Sequence, residues 1–237
     1  GLWAFDICNV LDQLEVESAW TVNTEGADNA TTGIWTWVDP IGMTYNGAPI
    51  QTENDRTAAP GVLCWVTGQG VVGGAAGAED VDGGATTLYS PAYDLTGSTV
   101  AKVKYYRWYT DDRGVNAGDD LWVVQVRNNG GAWQNVENTG EEANFWKQIT
   151  VDLFALFGEN IGIVEFKFIA SDTGANSLTE AAVDDFEILN QAIVAVSDWN
   201  GSAARFALLG ARPHPARVGA EIGFAVPTRS QVRIGVY

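Results

Sequence analysis

Basic side chains are scarce. Lys and Arg total 13 against 30 Asp and Glu, a formal charge of -17. So acidic a surface repels phosphate, which argues against nucleic acid as a partner and disfavours anionic lipid. There is 1 His, His214, flanked by prolines, so a serine or cysteine hydrolase lacks its base, and zinc is poorly supported by one His and two cysteines without ligand-like spacing. Paired carboxylates could serve a glycosidase, but here they sit among glycines in ion-type loops. The chain has no G-x-S-x-G elbow, P-loop or dinucleotide fingerprint, and it is expected not to be an enzyme. No apolar run is long enough to span a membrane. With no initiator Met and no leader, the chain reads as a mature secreted product. Cysteine occurs only as Cys8 and Cys64. An even count permits one disulfide in an oxidising compartment, and two buried free thiols are the alternative. Helical periodicity is missing too, and the longest candidate, 151–157, is too short to matter.

Glycine and aromatic residues are abundant: 27 Gly, 10 Trp, 7 Tyr and 9 Phe. That pairing predicts many short strands joined by tight turns. Strand candidates run over 14–22, 33–38, 62–67, 86–93, 100–109, 121–127, 132–136, 145–153, 162–170 and 181–189. Several alternate at period two. Trp122, Val124 and Val126 share one face while Gln125 and Arg127 take the other. Val164, Phe166, Phe168 and Ala170 point away from Glu165 and Lys167. One buried and one wet face marks an antiparallel sheet, and about ten such strands suggest two packed sheets. The Asn-Asn-Gly-Gly stretch at 128–131 reads as a hairpin turn requiring positive φ.

The acidic residues concentrate in glycine-rich loops. Calcium takes six to eight oxygens on a sharply bent backbone. Asp80 and Asp82, alternate carboxylates before two glycines, have that form. Glu53 and Asp55 are candidates to complete a site from a neighbouring loop. The loop 110–120 supplies Asp111, Asp112, Asp119 and Asp120 for a second. Calcium is therefore the expected ion, with solvated acidic turns as the alternative. The glycine-rich stretch 68–84 buries little of its own, and an ion is the expected ordering agent.

The stretches TTGIWTWVDPIG, QTENDRT, PGVLCWVTGQG, EDVDGGATTLYSPAYDLTG, YYRWYTDDRG, GDDLWVVQVRNNGGAW and SLTEAAVDDFEI occur in that order. They resemble a family of MAM-like or jelly-roll modules on secreted bacterial proteins, often beside zinc carboxypeptidases and other extracellular hydrolases. The resemblance covers about 20–189. It implies a calcium-binding β-sandwich without catalytic residues. It also implies that the acidic pair Asp184 and Asp185 on the last strand holds an ion against Glu15 or Glu17 of the first. A second resemblance covers 206–237, FALLGARPHPARVGAEIGFAVPTRSQVRIGVY, which looks like the opening of a bacterial immunoglobulin-like C-terminal module. His214 stands where that family usually has Asn, and the module's second half is missing.

These readings give an all-β chain, an antiparallel jelly-roll-like β-sandwich with a short, incomplete immunoglobulin-like C-terminal arm. The expected divisions are a strand-like segment at 1–13, the sandwich at 14–190, a connector at 191–210 and a hairpin arm at 211–237. The arm's apolar residues Ile222, Phe224, Val226, Val232, Ile234, Val236 and Tyr237 require cover, because an isolated hairpin is marginal in water. Strand addition to a second copy gives a head-to-tail polymer. The leading expectation is thus an extracellular or cell-surface filament or pilus-like subunit stabilised by calcium. The alternatives are a calcium-dependent carbohydrate-binding module of a secreted hydrolase and an adhesin domain. For sugar binding, Trp35 with Trp37 and Trp108 with Tyr106 share faces, although core filling is the commoner use of Trp. Asn29 and Asn200 fit the glycan-acceptor pattern.

Overall fold

A computed structural model describes residues 2–98, 101–174, 177–195, 207–212 and 221–225; for 2–9, 190–195, 207–212 and 221–225 it describes the backbone. The chain divides into two units, Asn9–Leu189, and Gly1–Cys8 with Asn190–Tyr237. Sixteen strands are described: β1 Leu2–Asp12, β2 Thr21–Val22, β3 Trp35–Val38, β4 Met43–Tyr45, β5 Ala48–Gln51, β6 Cys64–Thr67, β7 Gly84–Tyr89, β8 Tyr93–Asp94, β9 Ala101–Thr110, β10 Trp122–Asn128, β11 Gln134–Thr139, β12 Ala143–Asp152, β13 Ile163–Asp172, β14 Glu180–Ala195, β15 Ala207–Arg212 and β16 Glu221–Ala225.

Two antiparallel sheets form a sandwich. The first has the order β12-β9-β14-β6-β3, with β1 also on β14; the second has β11-β10-β13-β7-β2, with β8 also on β13. The fold is thus an all-β sandwich. The one α-helix among the described residues, α1 at Leu153–Phe157, begins where Asp152 accepts from Ala155 N and stops at Gly158, whose φ is 56°. No helix among the described residues is long and apolar enough to cross a membrane.

Alternation places the core as the sequence predicts. Trp122, Val124 and Val126 are buried from one sheet, as are Val164, Phe166, Phe168 and Ala170. Trp122 is the hub, with ring centroids 6.3 Å from Trp35, 5.9 Å from Tyr109 and 6.1 Å from Phe168. One ion pair crosses the core's edge. Arg107 of β9 is fully buried, and its Nε donates to Glu137 of β11 at 3.0 Å. Glu137 also accepts from Trp122 Nε1 at 3.0 Å and from the Tyr105 hydroxyl. The 129–131 turn has its expected positive φ, 52° at Asn129 and 66° at Gly130.

Two local readings change. Residues 13–20 are not a strand. Leu14 has φ 61°, its N–H donates to Asp12 Oδ1, and Trp20 Nε1 donates to Asp12 Oδ2, so side-chain acceptors bend the chain there. The hairpin β4–β5 lies in a stretch outside the strand candidates. Its turn is Asn46-Gly47, at φ 51° and 80°, a tight-hairpin signal present in the sequence.

The glycine-rich loop before β7 is pinned by protein contacts. Met43, Ile50 and Leu178 form a small buried cluster with Ala76 against it. Gly68 is required there: at φ 64°, a Cβ would stand 2.0 Å from the Glu79 carbonyl oxygen. Beyond the sandwich, β15 and β16 pair with each other as a separate two-stranded sheet. The expected partner of 221–226 is 231–237, which lies outside the described residues, as do Val226, Val232, Ile234, Val236, Tyr237 and Asn200.

Candidate functional site

The acidic residues separate into two groups, and an aromatic patch adjoins the first. The first group gathers around the bend between β5 and β6. Asp184 is fully buried on β14, where Oδ2 accepts from Arg56 N at 2.7 Å and Thr57 N at 3.3 Å, and Oδ1 accepts from Asp185 N. It therefore anchors the 52–57 loop through backbone amides. Burial pushes its carboxyl up to about 8. Asp185 accepts from Arg56 Nη1 at 2.5 Å and from the Thr57 hydroxyl at 2.9 Å. Glu15 accepts from the amides of Val62 and Leu63.

Asp55 stands differently. Burial, followed by the neighbouring Glu15 carboxyl, raises its carboxyl to about 6. Its Oδ2 is buried without a partner. Neighbouring carboxyls of this kind favour a proton or a cation beside them. The donor chemistry, oxygen only, suits calcium. Glu53 lies apart, with Oε2 accepting from Gly42 N at 2.7 Å.

The second group lies where the loops before β7, after β9 and after β13 meet. Leu178 N donates to Arg113 O, and Val81 N to Thr179 O. Asp111 holds the loop, accepting from Asp120 N at 2.9 Å and the Thr179 hydroxyl at 3.1 Å. Asp80, Asp120 and Asp172 are buried, and Asp82 is partly so. Burial, then the neighbouring Asp82 charge, pushes Asp80 up to about 7. Asp112 is exposed and pairs with Arg113. Glu180 is buried beside this group, accepting from Gln51 Nε2 at 2.9 Å and the Thr67 hydroxyl at 2.8 Å; burial holds it well above the usual carboxylate range. Among the described residues, no three His, Cys, Asp or Glu side chains converge closely enough to hold a metal by themselves. Any ion must draw on carbonyl, hydroxyl, amide or water oxygens as well.

The aromatic patch occupies the face of the first sheet turned away from the core. That face is partly covered: Trp108 donates to Ile50 O at 2.8 Å, and Cys64, Val66, Trp108 and Ala182 form a small buried cluster. Cys64 is a free, fully buried thiol there, and the side chain of Cys8 lies outside the described residues. At the margin of this cover the face opens. Arg56 sets its guanidinium carbon 3.9 Å from the Tyr106 ring centroid and donates from Nη2 to the Tyr106 hydroxyl at 2.9 Å. That hydroxyl donates to Gln148 Oε1 at 2.8 Å. Trp146, half-buried, rests edge-on against Trp108 and donates to Asn54 O at 3.1 Å. Phe145, beside it in the bulge of β12, is 60% exposed.

Sequence reasoning misses Arg56, Gln148, Trp146 and Phe145. The pairing of β9 with β12 places Gln148 opposite Tyr106, and Arg56 reaches them from the loop that Asp184 and Asp185 hold. Trp35 and Trp108 are core residues, and Trp37 is half-buried with Nε1 donating to Leu14 O. Asn29 is exposed and its Oδ1 accepts from Ala85 N, which holds the acceptor pattern against β7.

No family model matches the sequence, and no curated protein matches it. The MAM-like and immunoglobulin-like resemblances therefore rest on the residues alone. Solved structures do match. A CBM61 module in complex with β-1,4-galactotriose is 14% identical, with a TM-score of 0.42, over 73% of this chain and 89% of that one. The K3 cleaved adhesin domain of Lys-gingipain from Porphyromonas gingivalis is 15% identical, with a TM-score of 0.41, over 78% and 99%. The CBM22-1 and GH10 modules of Clostridium thermocellum xylanase 10B, complexed with xylohexaose, are 13% identical, with a TM-score of 0.42, over 78% and 28%.

Proposed function

We propose that Asn9–Leu189 is a non-catalytic, extracellular carbohydrate-binding module, with calcium bracing the loop that presents its binding surface. The observation that carries this reading is the Arg56–Tyr106–Gln148 network beside Trp146 and exposed Phe145. Sugar recognition needs aromatic rings beside fixed polar groups that read hydroxyls. Here the polar groups are held from behind. Arg56 is tied by its backbone to Asp184 and by its guanidinium to Asp185, both buried. Pre-ordering of this kind lowers the entropy lost on binding.

Calcium would sit at Glu15 and Asp55, next to the same loop, and supply positive charge to two neighbouring carboxylates. Removing it frees the loop and blunts the patch. A plant and microbial glycan array that includes galactan and xylan oligosaccharides, probed with full-length protein in calcium and then in chelator, tests the reading. Binding is expected in calcium, with loss in Tyr106→Ala and Gln148→Ala. A blank array, or hits indifferent to both variants, sinks it.

A second reading keeps the self-assembling subunit. Its one supporting observation is that β15 and β16 pair only with each other among the described residues, and a lone hairpin is marginal. Sedimentation at rising concentration with calcium decides it: a single monomeric species throughout removes that reading.

A further inference from the structure

We infer a second calcium site at the loop end of the sandwich, built on the Asp120 and Asp172 carboxylates with the Ser177 hydroxyl and the Asn116 amide. It is separate from the Glu15–Asp55 pair and does not depend on glycan binding.

Charge is the first reason. Asp120 is 3% exposed and Asp172 is fully buried. The basic residue of this loop, Arg113, turns to Asp112 instead. Two buried carboxylates thus lie together, and Asp82 adds its field to Asp172. Unpaired charge in such surroundings is expensive.

The second reason is a proton count. Ser177 Oγ lies 3.1 Å from Asp120 Oδ2 and 2.7 Å from Asp172 Oδ2. One hydroxyl carries one proton, and ionised carboxylates only accept. One of these two contacts is therefore unsatisfied unless a carboxyl is protonated or a cation joins them.

The third reason is independent of the cluster's own bonds. Asp172 Oδ1 is buried with no hydrogen-bond partner. It looks onto Gly174, where a Cβ would stand 3.7 Å from Oδ1 and 4.0 Å from Asn116 Nδ2. A side-chain-free gap thus separates a fully buried orphan oxygen from an amide of the opposite loop. Turning that amide presents its oxygen to the gap.

The frame is already set. Asp120 Oδ1 is held by Thr173 N at 3.0 Å, which leaves Oδ2 for the ion. Asp111 fixes the start and end of its loop through Asp120 N. All donors are oxygen, so the ion is hard. An irregular shell of two carboxylates, hydroxyl, amide and carbonyl or water oxygens suits calcium better than magnesium, which demands near-octahedral ligands. Two carboxylates match its charge.

Calcium titration calorimetry on chelator-treated full-length protein tests the assignment. Wild type is expected to take up two ions. Asp172→Asn, which keeps the side-chain shape, loses one and keeps the ion that Asp55→Asn loses. Asn116→Asp, which replaces the neutral amide ligand with a carboxylate and leaves the core intact, tightens one site by about tenfold. Wild-type uptake in Asp172→Asn, unchanged affinity in Asn116→Asp, or no uptake at all overturns the site. Should wild type bind only the ion lost in Asp55→Asn, this site fails while the first stands. Should it bind only the ion lost in Asp172→Asn, the first fails while this one stands.

Discussion

Replacing Glu137 with Gln tests how the two sheets are joined at their open edge. The substitution preserves volume and removes one charge. Glu137 receives three donors: Arg107 Nε, Trp122 Nε1 and the Tyr105 hydroxyl. The carbonyl oxygen of the new amide can still accept from the last two, so the loss concentrates on Arg107. That guanidinium is fully buried, and its Nη2 already lacks a hydrogen bond. Its other acidic neighbour, Glu141, is 3.8 Å away and largely exposed. Breaking a buried pair by removing one partner costs about 3–5 kcal/mol. Equilibrium urea unfolding reads this as a lower midpoint at unchanged slope. The control is Arg107→Met with Glu137→Gln, which removes the stranded charge and recovers most of the loss. A single-variant loss below about 1 kcal/mol, or a double variant that simply adds the two losses, refutes the argument.

Four further outcomes follow from the same structure. Gly33→Ala puts a Cβ at φ 66° and 2.4 Å from the Val81 backbone, so it destabilises by about 2 kcal/mol or more on thermal denaturation. Gly97→Ala, at φ 78° with nothing within 4 Å, costs only about 1 kcal/mol, its strain without the clash. Asp80 and Glu142 are both raised to about 7 by burial. They bind protons in the folded chain that the unfolded chain has released, so calcium-free stability falls as pH rises from about 4 to 7; a melting temperature that climbs over that range contradicts this. On the outer face of the second sheet, Glu25 accepts from Trp133 Nε1 at 2.8 Å and pairs with Lys167 at 3.2 Å and Arg127 at 3.4 Å. Because these groups are partly exposed, Glu25→Gln costs about 1 kcal/mol at low salt and less at high salt.

The sandwich was legible because strand alternation reports burial directly. Trp122, Val124 and Val126 could be placed on one face without any knowledge of their neighbours. The Asn128–Gly131 turn was legible for a similar reason, since positive φ restricts residue type. Asn46-Gly47 carries the same signal, and β4–β5 shows what overlooking it loses. Residues 13–20 mislead because the Asp12 carboxylate captures the Leu14 amide and the Trp20 indole, a competition periodicity does not register.

The site was only half legible. Acidic loop residues can be counted, but their grouping depends on which loops meet. Sequence proximity matches Asp55 with Glu53, whereas its actual neighbour is Glu15. Asp172 is inconspicuous at the end of an apolar strand, though its Oδ1 is buried without a hydrogen-bond partner. The Arg56–Tyr106–Gln148 patch joins three distant segments, through the register of β9 against β12 and the docking of the Arg56 loop on Asp184 and Asp185.

Affinity electrophoresis through gels containing soluble galactan, xylan or other polysaccharides tests the binding claim most directly. The account predicts that at least one polysaccharide retards the wild-type protein in calcium, and that Phe145→Ala combined with Tyr106→Ala runs as freely as in a plain gel while melting like wild type. Equal retardation of wild type and the double variant, or free migration of the wild type in every gel, would contradict it.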